Sequence, residues 1–406
     1  MLMCKKLGQY FTTSPLLQDK VYEFIKNSPE KILEPCVGQG DLVKKVLSKF
    51  KEVSFDCYEI DESVPLLSEV KEIKVIYRDF LKEEFRTKRY TTIIGNPPYI
   101  STKSGNVYLD FTEKCFELLE DYGELIFIVP SDFFKLTSAA ALLSKMYENG
   151  TFTHIFHPHD EKLFEQASID VVIYRYCKGL RNTKETICND VKMYSDCTSG
   201  MITFSKTEQL CRSVFGDFFD VYVGLVSGKE SVYKNKELGN IDVVTGIDIV
   251  PEKYILLDNL KEAPEKAVEY LNKFKSVLLS RKIRKFNENN WFEWGALRNI
   301  KVMKAKSGQE CIYISNLSRK EKVAFTGKVN FFGGNLLMMV AKDPSVNTKK
   351  AVEYLNSTAF RENFTFSGRF KIGQRQICNT HFPGELLKSA STSSSCPEKP
   401  DTRVKS

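Results

Sequence analysis

The stretch Asn96-Pro97-Pro98-Tyr99 places a carboxamide, a rigid carbonyl and an aromatic face within four residues. The Asn96 side-chain oxygen and the Pro97 carbonyl are acceptors suited to the two protons of an exocyclic amino group. The Tyr99 ring is a face on which a planar base can stack. Two successive prolines hold these groups in place, because each has φ fixed near −65° and neither extends a sheet. The preceding run, Tyr90-Thr91-Thr92-Ile93-Ile94, reads as a buried strand that delivers the turn. By itself the turn does not separate a base amino group from a glutamine amide.

Three earlier strand ends add the parts of a nucleoside site. Ile32-Leu33-Glu34-Pro35-Cys36-Val37-Gly38-Gln39-Gly40 reads as a strand entering a glycine turn and then a helix. Glycines there let the backbone approach a ligand at the helix start. Tyr58-Glu59-Ile60-Asp61 ends the next strand with an acid placed to accept from ribose hydroxyls. Asp79-Phe80 follows a third strand, offering an acid for an adenine amino group and an aromatic to cover the ring. Cys36 beside Pro35 invites comparison with the nucleophile of cytosine-C5 methyl transfer, but its place inside the glycine loop argues against that role. His154, His157, His159 and Asp160 are read as solvated or turn-stabilising, and no metal is expected.

The elements that must position these groups alternate as strands and helices. Strands are expected at 31–33, 54–60, 75–77, 92–94 and 125–129, with helices at 41–50 and 111–119, and 170–176 continues the apolar pattern. This alternation predicts an α/β, doubly wound, largely parallel sheet, with ligands beyond the carboxyl ends of its strands. Residues 178–211 are polar and read as a loop-rich connection. From about 215 a mixed α+β region begins, strongly basic over 272–328, with Phe286, Trp291, Phe292 and Trp294 interspersed. The expected division is a first domain at 1–210, a second at 215–385 and a disordered tail at 386–406.

At 406 residues with 42% hydrophobic content the chain suits two globular domains, and its net charge of +7 is compatible with a polyanionic partner. Eleven cysteines without a CxxC pair suggest reduced thiols in an intracellular, cytoplasmic setting. The start lacks a signal-peptide core, and no apolar run approaches the roughly 18 residues of a membrane span.

Motif by motif, residues 7 to about 180 resemble the S-adenosylmethionine-dependent, gamma-class N6-adenine DNA methyltransferases of the Taq-like, type II restriction-modification group. Leu7-Gly8-Gln9-Tyr10-Phe11-Thr12-Thr13-Ser14-Pro15 resembles the N-terminal cofactor motif, and Glu34 to Gly40 the glycine loop. Glu59-Ile60 is similar to the ribose site, Asp79-Phe80 to the adenine site and Asn96 to Tyr99 to the catalytic motif. The stretches 106–111 and 123–130 resemble the following helix and strand motifs. Leu163-Phe164-Glu165-Gln166-Ala167-Ser168-Ile169-Asp170-Val171-Val172-Ile173 resembles the later motif whose aromatic helps hold the target base. Cys36-Val37 departs from the small Ala or Ser commoner there.

The resemblance implies a Rossmann-like methyltransferase domain followed by a DNA target-recognition domain. It implies S-adenosylmethionine bound through Thr12, Glu34, Pro35, Cys36, Gly38, Gly40, Glu59, Ile60, Asp79, Phe80, Asn96 and Phe111. Catalysis would fall to Asn96, Pro97, Tyr99 and Phe164, acting on an adenine flipped from duplex DNA. In the second region 292–299 and 367–375 are the suspected base readers. A monomer and a cognate restriction endonuclease acting on the same site complete the expectation. Protein-glutamine N5 methylation, ribosomal-RNA adenine methylation and an inactive DNA-binding module remain the alternatives.

Overall fold

The computed structural model describes residues 9–388, except 51, 103–104, 165–167, 210–212 and 248–249. The chain divides into two compact units. The first comprises Met1–Arg212 with Ser315–Val323 and Ser357–Thr380, and the second comprises Ser213–Ile314, Ala324–Asn356 and His381–Ser406. Two segments of the expected second region thus fold with the first unit. Of the expected tail 386–406, residues 389–406 lie outside the described residues, whereas Leu386 is buried and ends a short helical turn, Gly384–Leu386, so the ordered chain runs past the expected boundary.

The first unit is built on one large sheet. Its strands are β1 (Lys31–Glu34), β2 (Ser54–Glu59), β3 (Val75–Tyr77), β4 (Tyr90–Gly95), β5 (Leu119–Pro130), β6 (Gly150–Phe156), β7 (Val171–Lys178), β8 (Glu185–Cys188), β9 (Val191–Thr198) and β10 (Met201–Ser205). Among the described residues their order is β10-β9-β8-β6-β7-β5-β4-β1-β2-β3. β1 to β5 pair in parallel, whereas β7 runs antiparallel to both β5 and β6. The chain winds from β1 out to β3, then returns to β4 on the other side of β1. That reversal leaves a crevice beyond the carboxyl ends of β1 and β4, where open α/β sheets bind ligands. Both strands are almost wholly buried, as their continuous apolar runs require when each face is covered.

Four helices cover this sheet: α1 (Pro15–Phe24), α2 (Asp41–Leu47), α3 (Val107–Leu118) and α4 (Ala140–Asn149). α1 buries Leu17, Val21 and Phe24, spaced four and three apart on one face. α3 buries Tyr108, Phe111, Thr112 and Cys115 at the same kind of spacing.

Within the stretch read as a loop-rich connection, residues 185–205 instead form three strands and their turns. β8, β9 and β10 pair antiparallel in sequence and extend the sheet from β6. Their turns, Asn189-Asp190 and Ser199-Gly200, have positive φ at both central residues, the geometry that matches strand twist in a two-residue hairpin. These strands bury polar residues such as Thr186 and Ser195. Their hydroxyls are paired internally, to the Phe152 and Lys184 carbonyls. The apolar alternation that marks a strand in sequence is therefore weak there.

The second unit contains a sheet ordered β11-β18-β14-β16 and another ordered β13-β12-β17. These strands are β11 (Phe219–Val223), β12 (Ile241–Val244), β13 (Glu252–Tyr254), β14 (Glu310–Ser315), β16 (Ala324–Lys328), β17 (Phe331–Phe332) and β18 (Leu336–Ala341). Trp291, Phe292 and Trp294 are buried in its core, and the Trp294 indole donates to the Ile255 carbonyl at 2.9 Å. Arg281 is also buried, donating to the carbonyls of Leu278, Ser227, Trp291 and Glu293. These aromatics and this arginine pack the unit, so within the suspected segment 292–299 the exposed side chains are Leu297 and Arg298. A third small sheet, β15 (Leu317–Ser318), β20 (Arg369–Lys371) and β19 (Thr365–Phe366), lies in the segments that belong to the first unit.

Candidate active site

Asn96 is the first residue after β4, so the strand fixes its Cα at the reversal crevice. Its amide nitrogen donates to the Tyr10 carbonyl at 2.7 Å and to the Thr12 hydroxyl at 3.0 Å. Its oxygen accepts from the Tyr99 hydroxyl at 2.5 Å, and that hydroxyl also lies 3.1 Å from the Ile128 carbonyl. Three contacts therefore set which end of the carboxamide faces which way. Pro97 is buried beside it. Burial pushes the Tyr99 phenol well above its ordinary value, so it remains a neutral donor.

The aromatic residues expected at the site come together. The Tyr99 ring stands edge-on to Phe164, with centroids 6.3 Å apart and planes at 82°. Tyr10, which the sequence reading did not single out, stacks on Tyr99 at 5.6 Å with a 25° tilt. It also tilts against Phe164 at 5.9 Å. Tyr10 lies within the N-terminal motif but carries no role there, because what docks it is its own backbone carbonyl, which accepts from Asn96. Of the Phe164 motif, residues 165–167 lie outside the described residues, as do Leu7 and Gly8 of the N-terminal motif.

A pocket opens next to Asn96, lined by Tyr10, Phe11, Thr12, Glu34, Cys36, Val37, Gly38, Asp41 and Leu42. Gly38 and Gly40 both have positive φ, at 54° and 92°. A Cβ on Gly40 would lie 2.6 Å from Val70, and one on Gly38 would lie 3.2 Å from Phe11. Side chains at either position would both strain the turn and crowd the loop. Gly40 then caps α2, which starts at Asp41.

Glu59 accepts backbone N–H groups from Gly38, Ile60 and Asp61 at 2.9, 2.9 and 3.0 Å. A carboxylate has about four lone-pair sites; the bond from Gly38 clips the glycine loop to β2, those from Ile60 and Asp61 fix the carboxylate on its own turn, and one site is left for a hydroxyl. Beside it Ile60 is 56% exposed, a large apolar side chain facing solvent at a strand end. Asp79 accepts from the Leu81 N–H at 3.1 Å and pairs with Lys82 at 3.0 Å.

The Phe80 ring is turned into the core, stacked on Phe111 at 5.5 Å. Its side chain is therefore a packing group, and Ile60 is the exposed apolar face. Lys114, also missed from sequence, donates to the carbonyls of Phe80, Leu81 and Glu83 at 2.6, 2.9 and 2.6 Å and shapes the turn carrying Asp79.

Glu34 is buried at the end of β1, accepting from the Cys36 N–H at 3.2 Å and the Cys36 thiol at 3.6 Å. Burial pushes its carboxyl up to about 8. Burial, with Glu34 nearby, also raises the Cys36 thiol well above its ordinary value, so it is protonated and a poor nucleophile. His157 bonds Asp170 at 2.9 Å, and among the described residues no group of His, Cys, Asp and Glu is placed to hold a metal. No helix of the described residues is long and apolar enough to cross a membrane.

The pocket fits S-adenosylmethionine. Its lining offers a glycine cradle closed to Cβ atoms next to Asn96, and beside that cradle Glu59, bound to the Gly38 N–H, leaves one acceptor position next to the exposed Ile60.

Residues 48–164 match the model of the Eco57I restriction-modification methylase family. The chain is 22% identical over 443 residues to the type II methyltransferase M.HindII of Haemophilus influenzae, covering 86% of this chain and 82% of that protein. It is 29% identical over 195 residues to M.HincII of the same species, covering 43% of this chain and 38% of that protein. A ribosomal RNA small subunit methyltransferase A of Mesomycoplasma hyopneumoniae is 33% identical over 132 residues, 32% of this chain and 48% of that protein. The chain spans most of M.HindII but less than half of the other two. Over residues 48–164 the chain thus resembles the Eco57I restriction-modification methylases, and over most of its length it is similar to a type II methyltransferase.

Proposed function

We propose that the chain is a sequence-specific DNA methyltransferase that methylates N6 of an adenine flipped out of the duplex. The observation that carries this reading is the orientation of Asn96. With both amide protons engaged by Tyr10 and Thr12, its oxygen is the end left to meet an incoming amino group.

The N6 lone pair of adenine is delocalised into the ring and is a poor nucleophile. Asn96 Oδ1 and the Pro97 carbonyl accept the two N6 protons, favouring a more tetrahedral nitrogen as positive charge develops on it. That interaction strengthens toward the transition state. S-adenosylmethionine, when bound, supplies the electrophilic sulfonium methyl. Thr12, Glu34, Glu59, Asp79 and the glycine loop hold it, with Ile60 against its adenine. Tyr99 stacks on the flipped base while Phe164 braces Tyr99 edge-on. Tyr10 lies too close to Tyr99 for a ring to enter between them, so on that face it yields to the base. Orientation carries much of the rate. The protonated Cys36, held on Glu34, speaks against cytosine-C5 chemistry.

The chain acts as a monomer inside a cell, alongside a restriction endonuclease that shares its site. A second reading, adenine in ribosomal RNA, draws on the 33% identity to the small-subunit enzyme. Expression in a host lacking adenine methylation, followed by modification-sensitive sequencing of its DNA and RNA, separates the two. N6-methyladenine in one duplex sequence context is the expected result; methyl groups confined to RNA or protein would remove the DNA reading.

A further inference from the structure

The positive charge of this chain is not spread over its catalytic part. Residues 1–212, which carry Asn96 and the cofactor strand ends, hold 28 lysines and arginines against 31 aspartates and glutamates. Four of those acids (Glu34, Glu59, Glu124 and Asp170) and two of the bases (Lys135 and Arg175) are buried, so this stretch offers phosphates no excess of positive charge. The segments Ser315–Val323 and Ser357–Thr380, which complete the same unit, hold seven basic residues against two acids.

Their small sheet places those charges. β15 and β19 both pair antiparallel with β20, with Ser318 opposite Phe370. Phe370 is buried, so Arg369 and Lys371 on either side of it point the other way and are exposed. Arg319 directly follows Ser318 and Arg369 directly precedes Phe370, which gathers two exposed guanidinium-bearing residues at one end of the strand pair. Exposed Lys320 and Lys322 come next in the chain. Like charges brought together across strands repel, and an anion laid over them removes that cost.

The hairpin is anchored where the base must arrive. The Ser367 N–H donates to Asp170 at 2.8 Å, Lys371 pairs with Asp132 at 3.5 Å, and Gln376 donates to the Lys135 carbonyl at 3.1 Å. Asp132 lies just beyond the carboxyl end of β5. Asp170 immediately precedes β7, whose Val171 pairs with Pro130 at that same end. β5 runs parallel to β4, which ends at Gly95 just before Asn96, so the hairpin is fixed to the end of the sheet from which Asn96 emerges.

We propose that this hairpin and the 315–323 turn are the methyltransferase unit's own DNA-backbone clamp, with Arg319, Lys320, Lys322 and Arg369 binding phosphates beside the base offered to Asn96. The inference rests on the reading of duplex DNA as substrate. The clamp contacts sugar-phosphate and contributes affinity without sequence preference.

The test uses the full chain carrying Arg319→Ala, Lys320→Ala and Arg369→Ala together, with duplex binding measured between 50 and 200 mM salt. Each lost phosphate contact flattens the slope of log K against log salt by about 0.9, or about 2.7 for three. The loss of affinity across that salt range then shrinks by about 40-fold. Cofactor affinity and thermal midpoint stay at their parental values. A control with the same charge change elsewhere, Lys49→Ala, Lys71→Ala and Lys74→Ala, keeps the parental slope. Equal flattening in the control, or a parental slope in the clamp variant, overturns the proposal. Should the unmodified chain neither bind nor methylate duplex DNA, it is the substrate reading that falls.

Discussion

Asn96 has four hydrogen-bonding positions, two N–H donors and two lone pairs on oxygen. Tyr10 and Thr12 take both donors and Tyr99 takes one lone pair. One lone pair remains, and it is the only part of the side chain free to act on substrate. Asn96→Ala removes that acceptor and releases the N-terminal segment. Transfer should fall by roughly 10² or more, the scale of losing one transition-state hydrogen bond. The cofactor Kd should rise only about three-fold, read by titration calorimetry; near-normal turnover would remove Asn96 from its role. Glu34 makes a different kind of prediction. Its folded value of about 8 stands above its ordinary 4.5. Between those values the folded chain holds a proton that the unfolded chain has lost. Stability is therefore greatest below about 4.5 and declines as pH rises toward 8, by at most about 1.4 kcal/mol per pH unit from this group. Glu34→Gln should flatten that decline in denaturant titrations from pH 5 to 8.5, and an unchanged pH profile would contradict the assignment.

The elements show which parts of this site can be read from sequence. The ends of β1, β2 and β4 were legible because each is an apolar run stopped by an acid, a glycine turn or prolines, and those stops are also the chemistry. Three things left no such trace. The polar strands β8 to β10 hide their pairing because their buried hydroxyls are satisfied internally. Tyr10 docks through a main-chain carbonyl, which every residue possesses. Lys114 on α3 looks like any helix-surface lysine, yet it holds three carbonyls of the turn after β3. Lys114→Met keeps the aliphatic stem and leaves those carbonyls without their cation. The turn bearing Asp79 should loosen, raising the cofactor Kd about ten-fold and leaving duplex affinity unchanged. Stability should fall by about 1 kcal/mol, since the carbonyls are only part-buried and that of Phe80 keeps the Glu83 N–H. An unaltered cofactor Kd would show that the turn is held by other means.

At the scale of the whole chain, the methyltransferase unit is discontinuous in sequence, and composition could not reveal it. The shift from α/β to basic α+β near 215 is real, but 315–323 and 357–380 are short, and each is surrounded by sequence of the other unit. Their pairing with the first unit is made of single long-range contacts. Asn363 exchanges hydrogen bonds with the backbone of Phe204, both at 2.9 Å. Lys135 is buried, donates to the Ile202 carbonyl, and lies between the rings of Phe204 and Phe364 at 5.6 and 5.5 Å. Phe364 is itself fully buried and comes from the returning segment. A chain ending at 212 would uncover Lys135, the β10 edge and the Phe134–Phe204 pair at once. Apolar surface and backbone acceptors would face water together, and a small domain's net stability of about 5–15 kcal/mol leaves little margin for that. Residues 1–212 expressed alone should therefore show dye-binding apolar surface, no cooperative melt and no measurable cofactor affinity, although they contain every residue proposed to bind the cofactor or act in catalysis. The intact chain should melt cooperatively and bind the cofactor. A 1–212 fragment that melts sharply and binds S-adenosylmethionine as the intact chain does would mean that the returning segments only decorate the unit.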